Sequence, residues 1–214
     1  LRNAVSAIFQ SLAPRLVAVT IDHAMRLTEL TDFIGEQRGM NAAVNHPGSA
    51  LAGHLADLIA TPCVSSVNAD AHHITAPAPG GTIAIKCMEL ALADAGLSPS
   101  DIGQVNAHGT STPLNDAAEA AALAVVFGPN GVPVTSTKGV TGHALGAAGA
   151  LEAAALLLSF EHGLIPPTAG TTQLDEGFEI DLVMGAARPW TPKPSMSNSL
   201  GFGGHNGSLI LGPV

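Results

Sequence analysis

The chain has 214 residues, of which 46% are apolar and only 12% are charged. That composition supplies enough apolar surface for a buried core, and it excludes a disordered chain, which would be rich in charge and poor in apolar side chains. The formal net charge is -9, and the eight Lys and Arg residues are scattered. A nucleic-acid-binding surface needs clustered cations, so that class of function is excluded as well.

Cysteine content and hydropathy indicate where the protein works. The only cysteines are Cys63 and Cys87. Two cannot form a disulfide framework, so a reducing cytoplasm is the expected compartment. No charged stretch followed by an apolar run suggests a signal peptide. The longest apolar-leaning stretch, Gly142–Phe160, is interrupted by Glu152 and by two glycines. It predicts a core helix and not a membrane span.

The first 62 residues give weaker patterns than the rest. Leu16–Ile21 predicts a strand, His23–Gln37 a helix, and Ser49–Ala60 a second helix with Ser49 as its N-cap. The buried face of that second helix would comprise Leu51, Leu55, Leu58 and Ile59. We assign residues 1–62 to an N-terminal segment and residues 63–214 to one domain.

From Cys63 onward, strands and helices alternate along the chain. The predicted elements are strand Cys63–Asn68, helix Thr82–Ala95, strand Gln104–Ala107, helix Pro113–Phe127, strand Val132–Thr137, helix Gly142–Glu161, and closing strands Ser195–Ser199 and Ser208–Leu211. Gly96 suits the left-handed position after a helix, and Pro113 suits the first position of one. The alternation predicts a layered α/β fold.

Ionisable residues stand at two junctions where a strand gives way to a helix. The strand ending at Ala107 is followed by His108, and the strand ending at Thr137 is followed by Lys138 and His143. In open α/β sheets, ligands bind at the carboxyl ends of the strands. If both strands run parallel, these three side chains should meet at one edge of the sheet. Any one of them alone would more often be a structural or solvated side chain.

A glycine-rich segment at Ser197–Asn206 packs three glycines around Phe202. Glycines allow close approach of the backbone to a ligand. The segment is not a dinucleotide fingerprint, because Asn206 stands where the third glycine would be. By itself it would indicate a tight hairpin. The nine histidines have no metal-ligand spacing, so a transition-metal site is not expected.

Three segments together closely resemble the β-ketoacyl-acyl carrier protein synthases, above all the type II elongating enzymes. They are 105–113 (VNAHGTSTP), 136–152 (STKGVTGHALGAAGALE) and 197–206 (SNSLGFGGHN), and the resemblance runs from about Val64 to Val214. It implies an α/β, thiolase-like layered α-β-α-β-α fold, of which this chain would supply the C-terminal half. The helix from Gly142 would be a buried middle layer.

The resemblance also assigns catalytic roles. His108 and His143 are similar to the two histidines that donate N–H groups to the enolate formed when malonyl loses CO2. Lys138 matches a lysine that orders the site, with Asp116 or Glu119 as its expected partner. The backbone N–H of Phe202 would form half of an oxyanion hole, and its ring would gate the acyl pocket.

Binding roles follow from the same resemblance. Thr110 and Thr112 would hold the phosphopantetheine arm, and Gly203 would contact substrate. That arm arrives on the acyl carrier protein, so no bound cofactor is expected. The expected partners are the acyl carrier protein, malonyl and acyl thioesters, and a second subunit in a homodimer or heterodimer.

Glu152 lies in an almost wholly apolar helix, where an unpartnered carboxylate would cost several kcal/mol. Either hydrogen bonds compensate it, or a monovalent cation does. The resemblance implies a cation site formed by Glu152 with Asn106, Ser197 and Asn198.

One departure from the family is clear. Its nucleophilic cysteine sits in an Ala-Cys-Ser/Ala-Ser/Thr-Gly segment, and neither Cys63 nor Cys87 has those neighbours. The chain is therefore interpreted in one of three ways. It is a fragment, which the start at Leu1 favours; or one subunit of a split synthase; or a non-catalytic ketosynthase-like protein that binds acyl carrier protein or shapes a partner's pocket.

Overall fold

A computed structural model describes residues 63–213, with side chains described from Ser65 onward. The strand and helices predicted within the first 62 residues lie outside this range. The architecture below is that of residues 63–143 and 148–213, which belong to one compact unit. Ala144–Ala147 belongs to a separate unit and contains one 3-10 turn, Leu145–Ala147. No helix among the described residues is long and apolar enough to cross a membrane.

Strands and helices alternate as the sequence predicted. The strands are β1 (Cys63–Ala69), β2 (Gln104–Asn106), β3 (Pro133–Thr135), β4 (Leu164–Ile165), β5 (Asp181–Leu182), β6 (Arg188–Pro189), β7 (Ser195–Gly201) and β8 (His205–Leu211). The helices are α1 (Thr82–Ala95), α2 (Pro113–Phe127), the short α3 (Lys138–Thr141) and α4 (Ala148–His162).

Six strands form one mixed sheet in the order β1-β8-β7-β2-β3-β5. β2 pairs in parallel with both β7 and β3, while β8 runs antiparallel to β1 and β7. A separate antiparallel pair joins β4 to β6. Because β2 and β3 are adjacent and parallel, the segments that follow them emerge at the same edge of the sheet. Such parallel strands are required if His108, Lys138 and His143 are to meet at one edge of the sheet, as the sequence predicted.

The two faces of the sheet differ in chemistry. One face is apolar: Val105, Val134 and Met196 pack with Met88 of α1 and Leu123 of α2 in the main core. The other face is polar and lies against α4. There Gln104 donates to Ser159 at 2.6 Å, and Asn106 Nδ2 lies 3.4 Å from the Glu152 carbonyl. Successive side chains on a strand alternate between faces, so even a short strand contributes side chains both to the apolar core and to the polar face beside α4.

Two of the predicted helices have the observed bounds, and one does not. Thr82–Ala95 ends at Gly96, which adopts φ 65° as a left-handed cap. Pro113–Phe127 begins with Pro at its first turn. The helix predicted from Gly142 begins instead at Ala148, because Gly142 takes φ 66° and ψ -179° and ends α3. Within α4 only Ala150, Glu161 and His162 are exposed.

Gly80 and Gly81 provide a matched test of how closely α1 and α2 pack. Both have left-handed φ values, 66° and 64°. A Cβ on Gly80 would meet nothing, whereas one on Gly81 would lie 2.3 Å from the Ala118 carbonyl oxygen. We expect Gly80→Ala to cost about 1 kcal/mol for the left-handed conformation alone. Gly81→Ala should cost about 1–3 kcal/mol more, because backbone must move.

Urea unfolding of the two variants measures this difference. Equal losses for Gly80→Ala and Gly81→Ala would show that the junction of the two helices is looser than the structure indicates.

Candidate active site

The residues that follow β2 and β3 form the centre of the site. His108 is 6% exposed, while His143 is exposed to solvent. Their ring centroids lie 5.4 Å apart, with the planes at 84° to each other. The structure thus brings together two imidazoles that are 35 positions apart in sequence.

Glu119 of α2 holds the turn that carries His108. Its two carboxylate oxygens accept hydrogen bonds from the N–H of His108 at 2.8 Å and of Gly109 at 2.9 Å. Gly109 adopts φ 44°, and a Cβ there would lie 2.6 Å from the Cβ of Ser136. Burial raises the pKa of the Glu119 carboxyl, and the two backbone donors oppose that effect. Glu119 therefore fixes the backbone of His108 and not its ring.

Lys138 is buried and lies beside two side chains. Its Nζ forms an ion pair with Glu152 Oε1 and lies 3.3 Å from His108 Nδ1. The prediction that Lys138 would pair with Asp116 or Glu119 was wrong. Both Glu119 oxygens already accept backbone N–H groups, and Asp116 accepts a hydrogen bond from Asn115 at 3.1 Å. Glu152, on the opposite face of the sheet, supplies the carboxylate that reaches the ammonium.

These contacts determine the charge and tautomer of His108. Burial lowers the pKa of His108 to about 3, and the positive charge of Lys138 and the nearby His143 act in the same direction. The ring is therefore neutral near pH 7. An ammonium can only donate, so Nδ1 accepts from Lys138 and Nε2 carries the ring proton. The arrangement supplies a neutral N–H donor.

The carboxylate of Glu152 is compensated by protein groups. Burial raises its pKa to about 7, although Lys138 acts in the opposite direction. Its second oxygen, Oε2, accepts from Ser199 Oγ at 3.5 Å. Of the two explanations left open for this residue, hydrogen bonding to protein groups accounts for both of its oxygens.

The four residues proposed to hold a cation fit one only in part. Asn106 Oδ1 and Ser197 Oγ are buried without a hydrogen-bond partner. Asn198, in contrast, accepts from Ser208 at 2.9 Å and donates to Met88. Two orphaned oxygens on neighbouring strands are suited to a cation, whereas Asn198 and Glu152 are already engaged. Among the described residues, no group of three or more His, Cys, Asp or Glu side chains could hold a metal ion.

The remaining site residues predicted from sequence lie near the strand ends. The hydroxyls of Thr110 and Thr112 lie 2.8 Å from each other after His108. Phe202 and Gly203 lie in the tight turn between β7 and β8, and the Phe202 side chain is 77% exposed. Asp116 lines a cavity of about 200 Å³ beneath the His108 turn, together with Glu119, Ser136, Thr168 and Phe178.

Sequence reasoning missed one residue that contacts this region. Asp70 accepts a hydrogen bond from Asn206 at 2.6 Å, and its N–H donates to the Gly204 carbonyl at 2.8 Å. It thus ties the glycine-rich turn to the loop after β1. The signal was an isolated acid in a segment otherwise rich in Ala, His and Pro.

Comparison with known proteins places these features in a family. Residues 59–172 match the family described as the C-terminal domain of β-ketoacyl synthase. The chain is 44% identical over 150 residues to 3-oxoacyl-[acyl-carrier-protein] synthase 2 of Coxiella burnetii, covering 69% of this chain and 36% of that protein. The chain thus spans about a third of the length of the curated relatives that it matches.

Solved structures give the same result. A β-ketoacyl synthase from Burkholderia phymatum is 39% identical, with a TM-score of 0.68 over 71% of this chain and 36% of that one. A type II polyketide synthase acyl-carrier protein in complex with its ketosynthase is similar at 32% identity. There the TM-score is 0.68, over 71% of this chain and 38% of that one.

Proposed function

Because this chain belongs to the β-ketoacyl synthase family, with the thiolase-like fold of its ketosynthases, we propose that it supplies the decarboxylating half of a β-ketoacyl-acyl carrier protein synthase. The observation that carries this proposal is the pairing of a buried neutral His108 with His143 at 5.4 Å. The reaction lengthens an acyl chain in fatty acid or polyketide synthesis.

In that reaction the bond between the malonyl carboxylate and its α-carbon breaks, and CO2 leaves. The electron pair stays on the remaining fragment, which becomes a thioester enolate. The enolate oxygen accepts hydrogen bonds from the N–H groups of His108 and His143. The enolate carbon then attacks the acyl thioester held on a cysteine, and the cysteine thiolate leaves. Lys138 keeps the His108 proton on Nε2 by donating to Nδ1. Phe202 would donate its backbone N–H to the oxyanion formed in the second step.

In this proposal the cysteine nucleophile comes from outside the given sequence. Cys87 is fully buried in α1, with its sulfur 3.2 Å from Ser66 Oγ. Cys63 lies on β1 and lacks the neighbours of a ketosynthase nucleophile. A reactive thiol needs an accessible, electropositive setting, which the surroundings of Cys87 do not offer. The nucleophile would lie on a further length of the same protein or on a partner subunit.

The proposed partners are the acyl carrier protein with its malonyl and acyl thioesters, and a second ketosynthase subunit. One similar solved structure contains an acyl-carrier protein with its ketosynthase. Another contains a ketosynthase with its chain length factor. Thr110, Thr112 and Gly203 would bind the phosphopantetheine arm. A cytoplasmic location remains part of the same proposal.

A monovalent cation near Glu152 is proposed for two of the four residues first considered. Of those four residues, Asn106 and Ser197 each have a buried side-chain oxygen without a hydrogen-bond partner, as Gln104 and Thr137 also do elsewhere in the described part of the chain. Asn106 and Ser197 would hold the ion, and its positive charge would be the partner that their two buried oxygens otherwise lack.

A second candidate function is that of a non-catalytic ketosynthase-like subunit, which the missing nucleophile favours. Such a subunit would bind carrier protein or shape a partner's pocket without chemistry of its own. It would have no use for a buried, neutral His108 oriented by Lys138, so the decarboxylating role is preferred.

An assay of CO2 release from malonyl-acyl carrier protein separates the two. We expect slow decarboxylation without condensation when this chain is the only catalyst, because enolate stabilisation needs no thiol. Absence of decarboxylation would favour the non-catalytic role. Condensation by this chain alone that is lost when Cys63 and Cys87 are replaced by Ser would contradict the external nucleophile.

A further inference from the structure

The glycine-rich turn that carries Phe202 sits on the loop of residues 70–78, here named the seat loop. The N–H of Gly203, next to Phe202, donates to the carbonyl of Ile74 at 2.6 Å. Phe202 itself is 77% exposed, so its side chain makes little contact that could fix it. Besides the pairing of Gly201 with His205 across the hairpin, the position of the turn therefore depends on the shape of the seat loop.

Asp70 fixes the two ends of the seat loop. Its Oδ2 accepts the N–H of Ala78 at 2.7 Å, which closes the loop, and its Oδ1 accepts from Asn206 at 2.6 Å. A Cβ on Gly204 would lie 3.0 Å from the backbone nitrogen of Asp70, so the backbones of the turn and the loop approach each other closely. These contacts anchor the ends and leave the middle of the loop to another side chain.

His73 holds the middle. Its Nδ1 accepts hydrogen bonds from the N–H groups of Thr75 and Ala76, both at 3.1 Å. The peptide unit between Ile74 and Thr75 is planar and trans, so its C=O and N–H point in opposite directions. When His73 binds the N–H, the Ile74 carbonyl is turned towards Gly203. One rigid peptide plane thus connects the imidazole to the glycine-rich turn.

We propose that His73 is a positioning residue for Phe202 and acts only with an unprotonated Nδ1, so that proton uptake by His73 releases the glycine-rich turn. A doubly protonated imidazole has two donors and no acceptor. Its Nδ1–H would then point at the N–H groups of Thr75 and Ala76, and both hydrogen bonds to Nδ1 would be lost. This inference rests on the proposed role of Phe202 as an oxyanion donor. Release of the turn would withdraw that donor from the site.

The effect of His73 on the turn must be distinguished from the effects of other titratable groups nearby. The seat loop also carries Asp70 and His72, and the turn packed against it carries His205. The His205 ring lies close to Gly203, since its Cδ2 would be 3.3 Å from a Cβ built there. A response of Gly203 to pH can therefore come from either histidine, and the experiment has to include both.

Nuclear magnetic resonance of the 15N-labelled chain between pH 5 and pH 8 tests the proposal. We expect the amide signals of Thr75 and Gly203 to shift together, with the midpoint of the His73 ring protons. In His73→Asn the side-chain oxygen can still accept the N–H two residues on, but it does not titrate. Both amide shifts should then be lost, with Gly203 remaining at its high-pH position.

His72→Gln and His205→Gln are the matched controls, and both should keep the linked shifts. The proposal is overturned if Gly203 follows the midpoint of His205, or if its shift persists in His73→Asn. Because the readout does not require turnover, it can fail while decarboxylation is observed, and the reverse. The two proposals are thus tested separately.

Discussion

Replacing Lys138 by Met should lower the free energy of unfolding by about 3–5 kcal/mol above neutral pH, since it leaves a buried carboxylate without its cation. Glu152 is 1% exposed, and the other contact to its carboxylate is the weak one from Ser199 at 3.5 Å. Urea unfolding followed by circular dichroism measures the change. Lys86→Met is the matched control, because Lys86 is 61% exposed and pairs with an exposed Glu89. It should change stability by less than about 0.5 kcal/mol.

The pH dependence of that loss gives the prediction its sharper form. Burial raises the Glu152 pKa from 4.5 to about 7 in the folded protein. The folded state therefore binds more protons than the unfolded state between these values, and the contribution of Glu152 to stability falls as pH rises from 4.5 to 7. Without Lys138 the folded pKa rises further. The loss in Lys138→Met should therefore be small at pH 5 and largest above pH 8.

A double variant distinguishes the effect of losing the charge of the ion pair from the effect of losing side-chain volume. Lys138→Met with Glu152→Leu removes both charges while keeping apolar volume, and replacing a buried pair in this way is often neutral or stabilising. We expect it to recover most of the stability lost in Lys138→Met. An equal loss at pH 5 and pH 8.5, or a double variant no more stable than the single one, would show that charge is not the cause.

Much of the fold could be predicted from local sequence because its signals are local. Gly96 and Pro113 mark helix ends through their own backbone preferences, so α1 and α2 were placed to the residue. The start of α4 was misplaced, because the residues from Gly142 to Ala148 are mostly Gly and Ala and include no Pro, Ser, Thr, Asp or Asn to mark the start of a helix. Only tertiary geometry, with Gly142 at φ 66° and Leu145 at φ 51°, shows where the helix is broken.

The candidate site was likewise predictable from the sequence only in part. The approach of His108 to His143 followed from two strand ends on one sheet edge, which topology alone requires. The partner of Lys138 did not follow, because Asp116, Glu119 and Glu152 are all acids near it in sequence. Which of them meets the ammonium depends on whose oxygens are already used. Glu119 binds two backbone N–H groups, and this is invisible in the sequence.

The decarboxylation rate should fall by about 100- to 1,000-fold in His108→Ala, and by a similar factor in His143→Ala, as for loss of one oxyanion donor. The double variant should not multiply the two losses, because groups that act as a unit are not additive. CO2 release from malonyl-acyl carrier protein measures each rate. His162→Ala, at the exposed end of α4, should leave the rate unchanged.

Glutamine variants and pH distinguish a hydrogen-bond donor from a proton donor. His108→Gln keeps an N–H group but cannot carry a transferable proton, so it should retain more activity than His108→Ala. The pKa of His108 lies near 3 because the ring is buried beside Lys138. Its neutral form is thus present throughout the range from pH 5 to pH 8, and protonation of His108 should produce no acidic limb in the rate there. A glutamine variant as slow as alanine would count against a role as simple hydrogen-bond donor. A wild-type rate that falls on acidification within this range, with the fall absent in His108→Gln, would assign the chemistry to proton transfer by His108 and not to hydrogen-bond donation to the enolate.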